Sequence, residues 1–159
     1  MISKSIKSKF KFLPIFLATY LTVLPVLVVY FSFTSPVATM TLPVLFLLFI
    51  VVFWFTVCRT RAHRIRIDEE SIVVNRYFGI GKSETYGFNG LDGFITLFES
   101  GKLGVSENLF ILRKGKRVVC ISEFYHSNYG ELKQILIERL INFGVKDYNI
   151  KEEWSNIFK

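Results

Sequence analysis

Apolar positions along this chain follow three successive patterns. An unbroken apolar stretch comes first: residues 12–57 contain no Asp, Glu, Lys, Arg or His. From residue 63 apolar and polar positions alternate, the period of half-buried strands. Beyond Asn128 the apolar residues recur at three and four, the period of an amphipathic helix.

The first pattern predicts two membrane spans. Phe12–Phe33 would reach roughly 33 Å as a helix, enough for a hydrocarbon core of ~30 Å. Met40–Val57 would reach roughly 27 Å and can borrow residues at either end. Spans of about 12–33 and 38–58 result. Only the short stretch TSPVAT lies between them, so they form a tight antiparallel hairpin. Lipid tolerates no unpaired backbone groups, which makes helix the expected state of both. Pro14 and Pro43 fall in first turns, Pro36 in the connection, and Pro25 mid-span, where a kink is expected. Tyr30 and Trp54 lie near helix ends, as interfacial aromatics do. Thr19, Tyr20 and Thr22 could link the helices, although back-bonding to the preceding turn is the commoner role of such hydroxyls. A cleaved signal peptide fits less well than a signal anchor, because the apolar core is long and no A-x-A site precedes Met40. With no ionisable group inside either span, the pair is expected to anchor the chain and not to transport.

The alternating region predicts six strands: HRIRID, IVVNRYF (Ile72–Phe78), KSETYGF, GFITLFE (Gly93–Glu99), NLFILR (Asn108–Arg113) and RVVCIS (Arg117–Ser122). DEES and GKLG are polar or flexible reversals, and Lys114-Gly115-Lys116 is a hairpin turn in which Gly115 can take positive φ. Gly79 and Gly81 supply another reversal; without a third glycine or a following helix they do not make a phosphate loop. In the last pattern Asn128 and Glu131 have capping-box spacing. Tyr129, Leu132, Ile135, Leu136, Leu140 and Phe143 form one stripe, and Gly144 is the expected C′ residue. Consecutive strands closed by one helix make an α+β fold: a curved antiparallel sheet whose open end the helix plugs.

Charge sharpens the topology. The 159 residues carry a formal net charge of +7 and a mean hydropathy of +0.39. Residues 1–66 hold eight cations (Lys4, Lys7, Lys9, Lys11, Arg59, Arg61, Arg64, Arg66) and no acid, leaving twelve of the twenty cations against all thirteen acids. The basic excess therefore flanks the spans. Nucleic-acid binding, which needs cations clustered on the folded domain, is not expected. The positive-inside rule places both termini in the cytoplasm of a multi-pass protein of the cell inner (plasma) membrane. Lys4, Lys7, Lys9, Lys11, Arg59 and Arg61 are the expected contacts to lipid head groups, setting this topology. Arg113, Lys114, Lys116 and Arg117 are the one basic cluster on the domain, a candidate contact to an anionic surface, though a solvated hairpin tip is the plainer reading.

Two N-terminal spans, a basic exit, then RIRIDEESIVVNRYFG, ENLFILRKGKRVVCIS and ISEFYHSNYGELKQIL together resemble the bacterial pleckstrin-homology-like (PH-like) membrane proteins, over roughly residues 60–143 plus the anchor. The resemblance implies a seven-stranded, partly open antiparallel barrel or sandwich capped by the C-terminal helix. The seventh strand would lie near Asn89–Asp92. It also implies a binding or scaffolding role. Phosphoinositide-binding PH domains carry cations in the first hairpin turn; here that turn is Asp68-Glu69-Glu70-Ser71, whose carboxylates repel phosphate.

No catalytic constellation is evident. His63 sits beside the arginines in a solvated or head-group setting, and His126 follows Cys120 by six residues without an orienting third group. The two histidines are too far apart in sequence, and too poor in neighbouring carboxylates, to suggest a metal site or other cofactor. Cys58 and Cys120 are expected to be reduced structural thiols. The domains are then residues 1–58, tail and hairpin; 59–144, the cytoplasmic PH-like domain; and 145–159, a tail with Trp154, Ile157 and Phe158 at helical spacing. The expected role is a membrane-anchored binding or scaffold module, not an enzyme, engaging a protein partner or a second copy beside the lipid bilayer. The alternative is a small membrane enzyme or accessory subunit acting on a lipid or cell-envelope substrate or in a transport complex.

Overall fold

The structure, a computed structural model, describes residues 5–34, 41–101, 104–146 and 155. Helix α1 is Phe12–Thr34 and helix α2 is Thr41–Phe53. The latter runs on through a π turn, Trp54–Cys58, and a last α turn, Arg59–Arg61. Two helices, Phe12–Thr34 and Pro43–Arg61, are long and apolar enough to cross a membrane. Only 17% and 11% of their apolar stretches are buried inside the protein, unlike the core helices of a soluble domain. Residues 35–40, which include the expected loop proline Pro36, lie outside the described residues.

The buried residues of α1, Pro14, Ala18 and Pro25, share one stripe with Thr22. Small and ring-closed side chains there let the helices approach closely. The Thr22 hydroxyl donates to the Ala18 carbonyl at 2.7 Å, the back-bond expected of it, and Thr19 does the same to Ile15 at 2.9 Å. Thr22 also accepts the Trp54 indole N–H at 3.0 Å, so one polar clasp joins the two helices.

Among the described residues eight strands form two four-stranded sheets. The first contains β1 (Ile6–Lys7), β2 (Arg64–Ile67), β3 (Ser71–Asn75) and β4 (Ser83–Gly87), all antiparallel and in that order. The second contains β5 (Gly93–Gly101), β6 (Gly104–Arg113), β7 (Lys116–Ser122) and β8 (Asn142–Lys146), in the order β7-β6-β5-β8 with β8 parallel to β5. Helix α3 (Tyr129–Arg139) follows β7. Ile65, Ile67, Ile72 and Val74 face Phe94, Leu109, Ile111, Val119 and Ile121 across one core, and Leu132, Leu136 and Leu140 seal it. A two-residue turn joins β6 to β7, with φ of 51° at Lys114 and 70° at Gly115, the primed geometry a tight hairpin needs.

Four expectations are corrected. The expected single curved antiparallel sheet divides in two: among the described residues β4 does not pair with β5, and β8 joins β5 in parallel. Where a seventh strand was expected, Phe88–Gly90 makes a 3-10 turn, consistent with the weak strand propensity of Asn and Gly. The last helix stops at Arg139, with Leu140 already extended. Phe143 and Gly144 belong to β8, because the Phe94 N–H on the open edge of β5 takes the Ile141 carbonyl at 2.9 Å. Finally, the Asn128 side chain makes no cap bond to the helix; its amide serves the N-terminal segment instead.

Gly93 is what permits β8 to dock. Its φ is +150°, and a Cβ there would lie 2.4 Å from the Ile141 oxygen and 2.6 Å from the Phe143 ring. Gly93→Ala is expected to cost about 2–4 kcal/mol by combined strain and collision. Hydrogen exchange should locate the loss at residues 141–146; unchanged protection there would refute this account of the glycine.

Candidate functional site at the helix–domain junction

Residues before the first helix are part of the domain. Ile6 and Lys7 pair with Ile67 and Arg66. The Ser8 N–H donates to Ile65 O at 2.7 Å, and the Ser8 hydroxyl accepts the Ile65 N–H at 2.8 Å. On its other side the segment meets the loop before α3. The Lys9 N–H donates to Asn128 Oδ1 at 2.8 Å, Asn128 Nδ2 donates to Lys7 O at 3.0 Å, and the Ser127 N–H donates to Lys9 O at 2.8 Å. The Lys11 N–H bonds Tyr125 O at 2.8 Å, one residue before α1 begins. This strap therefore brings the start of α1 beside the end of α2. Lys7, Lys9 and Lys11 project outward from it and are exposed; Lys4 lies outside the described residues.

Beneath the strap lie both histidines. Sequence separation suggested two unrelated residues and a solvated His63. Instead, His63 is 3% exposed and His126 fully buried, with His126 Nε2 2.8 Å from the His63 carbonyl oxygen. The cause is the turn at Ala62, which folds the chain under the end of α2 as soon as the helix stops. His63 Nδ1 accepts the Cys120 backbone N–H at 3.0 Å, which leaves Nε2 to donate to Arg59 O at 2.9 Å. That pattern fixes a neutral imidazole. Burial lowers the His63 pKa to about 4, with Arg76 and His126 also disfavouring its charge and the Arg59 bond opposing them. Burial likewise lowers the pKa of His126, against its bonds to the His63 and Ser122 backbone. His126 further stacks on Phe10 at 5.3 Å. These are clamps between the last helical turn, β7 and the strap.

An aromatic collar surrounds the same place. Phe10 packs on Phe78, Phe78 on Tyr125, and Tyr125 on Phe124, at centroid separations of 5.3, 6.0 and 5.1 Å. Trp54 stacks on Tyr77 at 6.4 Å. Tyr77 and Phe78 occupy a 3-10 turn after β3 with φ of 54° and 56°, values costly for aromatic residues. The Phe78 N–H is held by Ala62 O at 2.7 Å, immediately after the helix. The chain pattern gave Trp54 an interfacial role but contained no signal for Tyr77 and Phe78, whose backbone only tertiary contacts can hold.

The last turn of α2 covers one face of the second sheet. Arg61 pairs with Glu99, and Cys58 is buried beside the sheet face that carries Leu97, Phe110 and Cys120. Cross-strand register puts Glu99 with Ser106 and Leu97 with Asn108 on this face. Glu99 Oε1, Ser106 Oγ and Asn108 Nδ2 are buried there without hydrogen-bond partners among the described residues. Both exit arginines, Arg59 and Arg61, are half-buried, and Arg61 is tied to the domain by its pair with Glu99. Both cysteines are buried.

At the opposite end of β7 sits the basic hairpin, roughly 20 Å away by strand rise. Arg117 lies over the Phe110 ring at 4.4 Å and Arg113 over Tyr86 at 5.6 Å, while Lys114 and Lys116 are exposed. At the acidic turn, Arg66 pairs with Asp68 at 3.1 Å and Arg139 bonds the Asp68 and Glu69 carbonyls. No cluster of three or more His, Cys, Asp or Glu able to hold a metal occurs among the described residues. The junction is thus a mechanical coupling of helices to sheets. Comparisons of the chain with models of known protein families, with curated proteins and with solved structures found no match.

Proposed function

We propose that this chain is a membrane-anchored binding or scaffold module: its two helices span the inner (plasma) membrane as a hairpin, both termini are cytoplasmic, and its PH-like domain takes up an extended segment of a protein partner along β8. The observation that carries the binding role is the outer edge of β8 over Asn142–Val145. Among the described residues that edge has no partner strand, it contains no proline, and Ile141, Phe143 and Val145 around it are exposed. Such an edge recruits a further strand through backbone hydrogen bonds, with side-chain alternation giving specificity. The anchoring role is supported by the pairing of β1 with β2. Because one strand precedes α1 and the other follows α2, both helix ends belong to one sheet, and a spanning pair must return to the side it left. Burial of Cys120 and His126 counts against the thiol–imidazole pair that an enzyme alternative could draw on.

A photo-crosslinker at position 143 of the full chain in native membranes tests the proposal. A discrete adduct with a different polypeptide, lost on Val145→Pro, is expected. An adduct only to a second copy would replace the protein partner by self-association. A reporter fused after Lys159 that proves extracytoplasmic would overturn the topology.

A further inference from the structure

The geometry points to the β3–β4 loop, residues 77–82, as a lipid-inserting element that docks the domain face onto the bilayer beside the helices. This inference rests on the reading of α1 and α2 as membrane spans. Its starting point is Ile80, 82% exposed at the tip of the loop, the most exposed of the large apolar side chains among the described residues. In a loop of an otherwise well-packed sheet this is an isolated apolar tip facing solvent, and three observations say what covers it.

The loop's height is the first. Tyr77 stacks on Trp54, which lies seven residues before Arg61, or roughly 10 Å up the helix toward the apolar stretch. Trp54 in turn bonds Thr22, well inside α1. The loop thus rises alongside the helices to the level where their apolar surface begins, the zone that Trp and Tyr favour in membranes.

Rigidity is the second. Phe78, Gly79, Ile80 and Gly81 all donate backbone hydrogen bonds, to Ala62, Arg76, Tyr77 and Arg76, at 2.7 to 3.1 Å. Gly79, at φ +102°, is pressed against the Arg64 side chain, where a Cβ would lie 2.9 Å from Cδ. Three successive positive φ values, at Tyr77, Phe78 and Gly79, turn the aromatic pair inward and leave Ile80 outward. Backbone strain of this kind is retained where a surface is preformed for a task.

Charge is the third. Exposed Arg64 and Lys82 flank the loop, while Arg76 is paired with Glu84 at 3.1 Å. One apolar tip between cations fits the boundary between anionic head groups and acyl chains. A protein partner would not require the tip to sit at that level.

The full chain, with Cys58 and Cys120 replaced by alanine, would carry a nitrobenzoxadiazole probe on Ile80→Cys. It would be reconstituted in phosphatidylcholine–phosphatidylglycerol vesicles. Phe31→Cys reports the span and Lys114→Cys the distal hairpin. The expected result at position 80 is blue-shifted emission, lost when nitroxide lipids labelled near the head group are added and protected from aqueous iodide. Position 114 should respond only to iodide. If position 80 behaves like 114 while position 31 is quenched by nitroxide lipids, the loop does not insert and the anchor reading survives. If position 31 also escapes nitroxide quenching, the spans themselves are refuted, and the loop inference with them.

Discussion

Acidification from pH 7 to pH 4 is expected to remove about 3 kcal/mol of stability through His63 alone. The group is neutral when folded, with its pKa lowered from 6.5 to about 4 by burial. An unfolded His63 binds a proton as the pH falls through 6.5, while the folded one resists until about 4. Stability is therefore fully present above pH 6.5, declines between 6.5 and 4, and levels off below. The lowered pKa of His126 acts in the same direction. Denaturant titrations of the full chain in detergent micelles at several pH values check this. His63→Gln should flatten much of the slope. A wild-type profile level down to pH 4 would mean that the ring is charged or solvated when folded.

The second large effect is expected at His126. Replacing it with alanine removes a fully buried ring, the stack on Phe10, and the partner of the His63 carbonyl. Lost packing and an unpaired carbonyl together suggest about 3–5 kcal/mol. Trypsin should then cut the strap faster at Lys7 and Lys9, since the strap rests on this side chain. A change below about 1 kcal/mol, with unaltered cleavage, would show that the histidine is incidental to the junction.

Much of the fold was legible because it depends on local period. The alternation of Arg64–Ile67 and of Ile72–Val74 reports one buried face per strand, the apolar run in Arg117–Ser122 a strand buried on both, and all three occur where the pattern places them. The strands that escaped notice have another origin. Ile6–Lys7 is too short to carry a period, and its partner lies beyond both helices. Asn142–Lys146 continues a helical stripe in sequence and becomes a strand only because β5 offers an open edge. The candidate site was less legible still. Asn128 reads as a helix cap, yet its amide does more for the strap. His63 reads as a surface residue because nothing local says that Ala62 will fold it under the helix. Burial of that kind is a tertiary fact.

The interleaving of β1 with β2 also bears on how the protein is made. The first strand leaves the ribosome before either helix, but its partner appears only after both have been synthesised, some sixty residues later as Ile6 faces Ile67. Until then the strap has nothing to pair with, so on the membrane-spanning reading proposed above hairpin insertion precedes closure of the first sheet. A soluble fragment cut at residue 59 would lack that strand permanently and expose the edge of β2. Helical hairpin and sheets are one folding unit, closed only after both helices have been made.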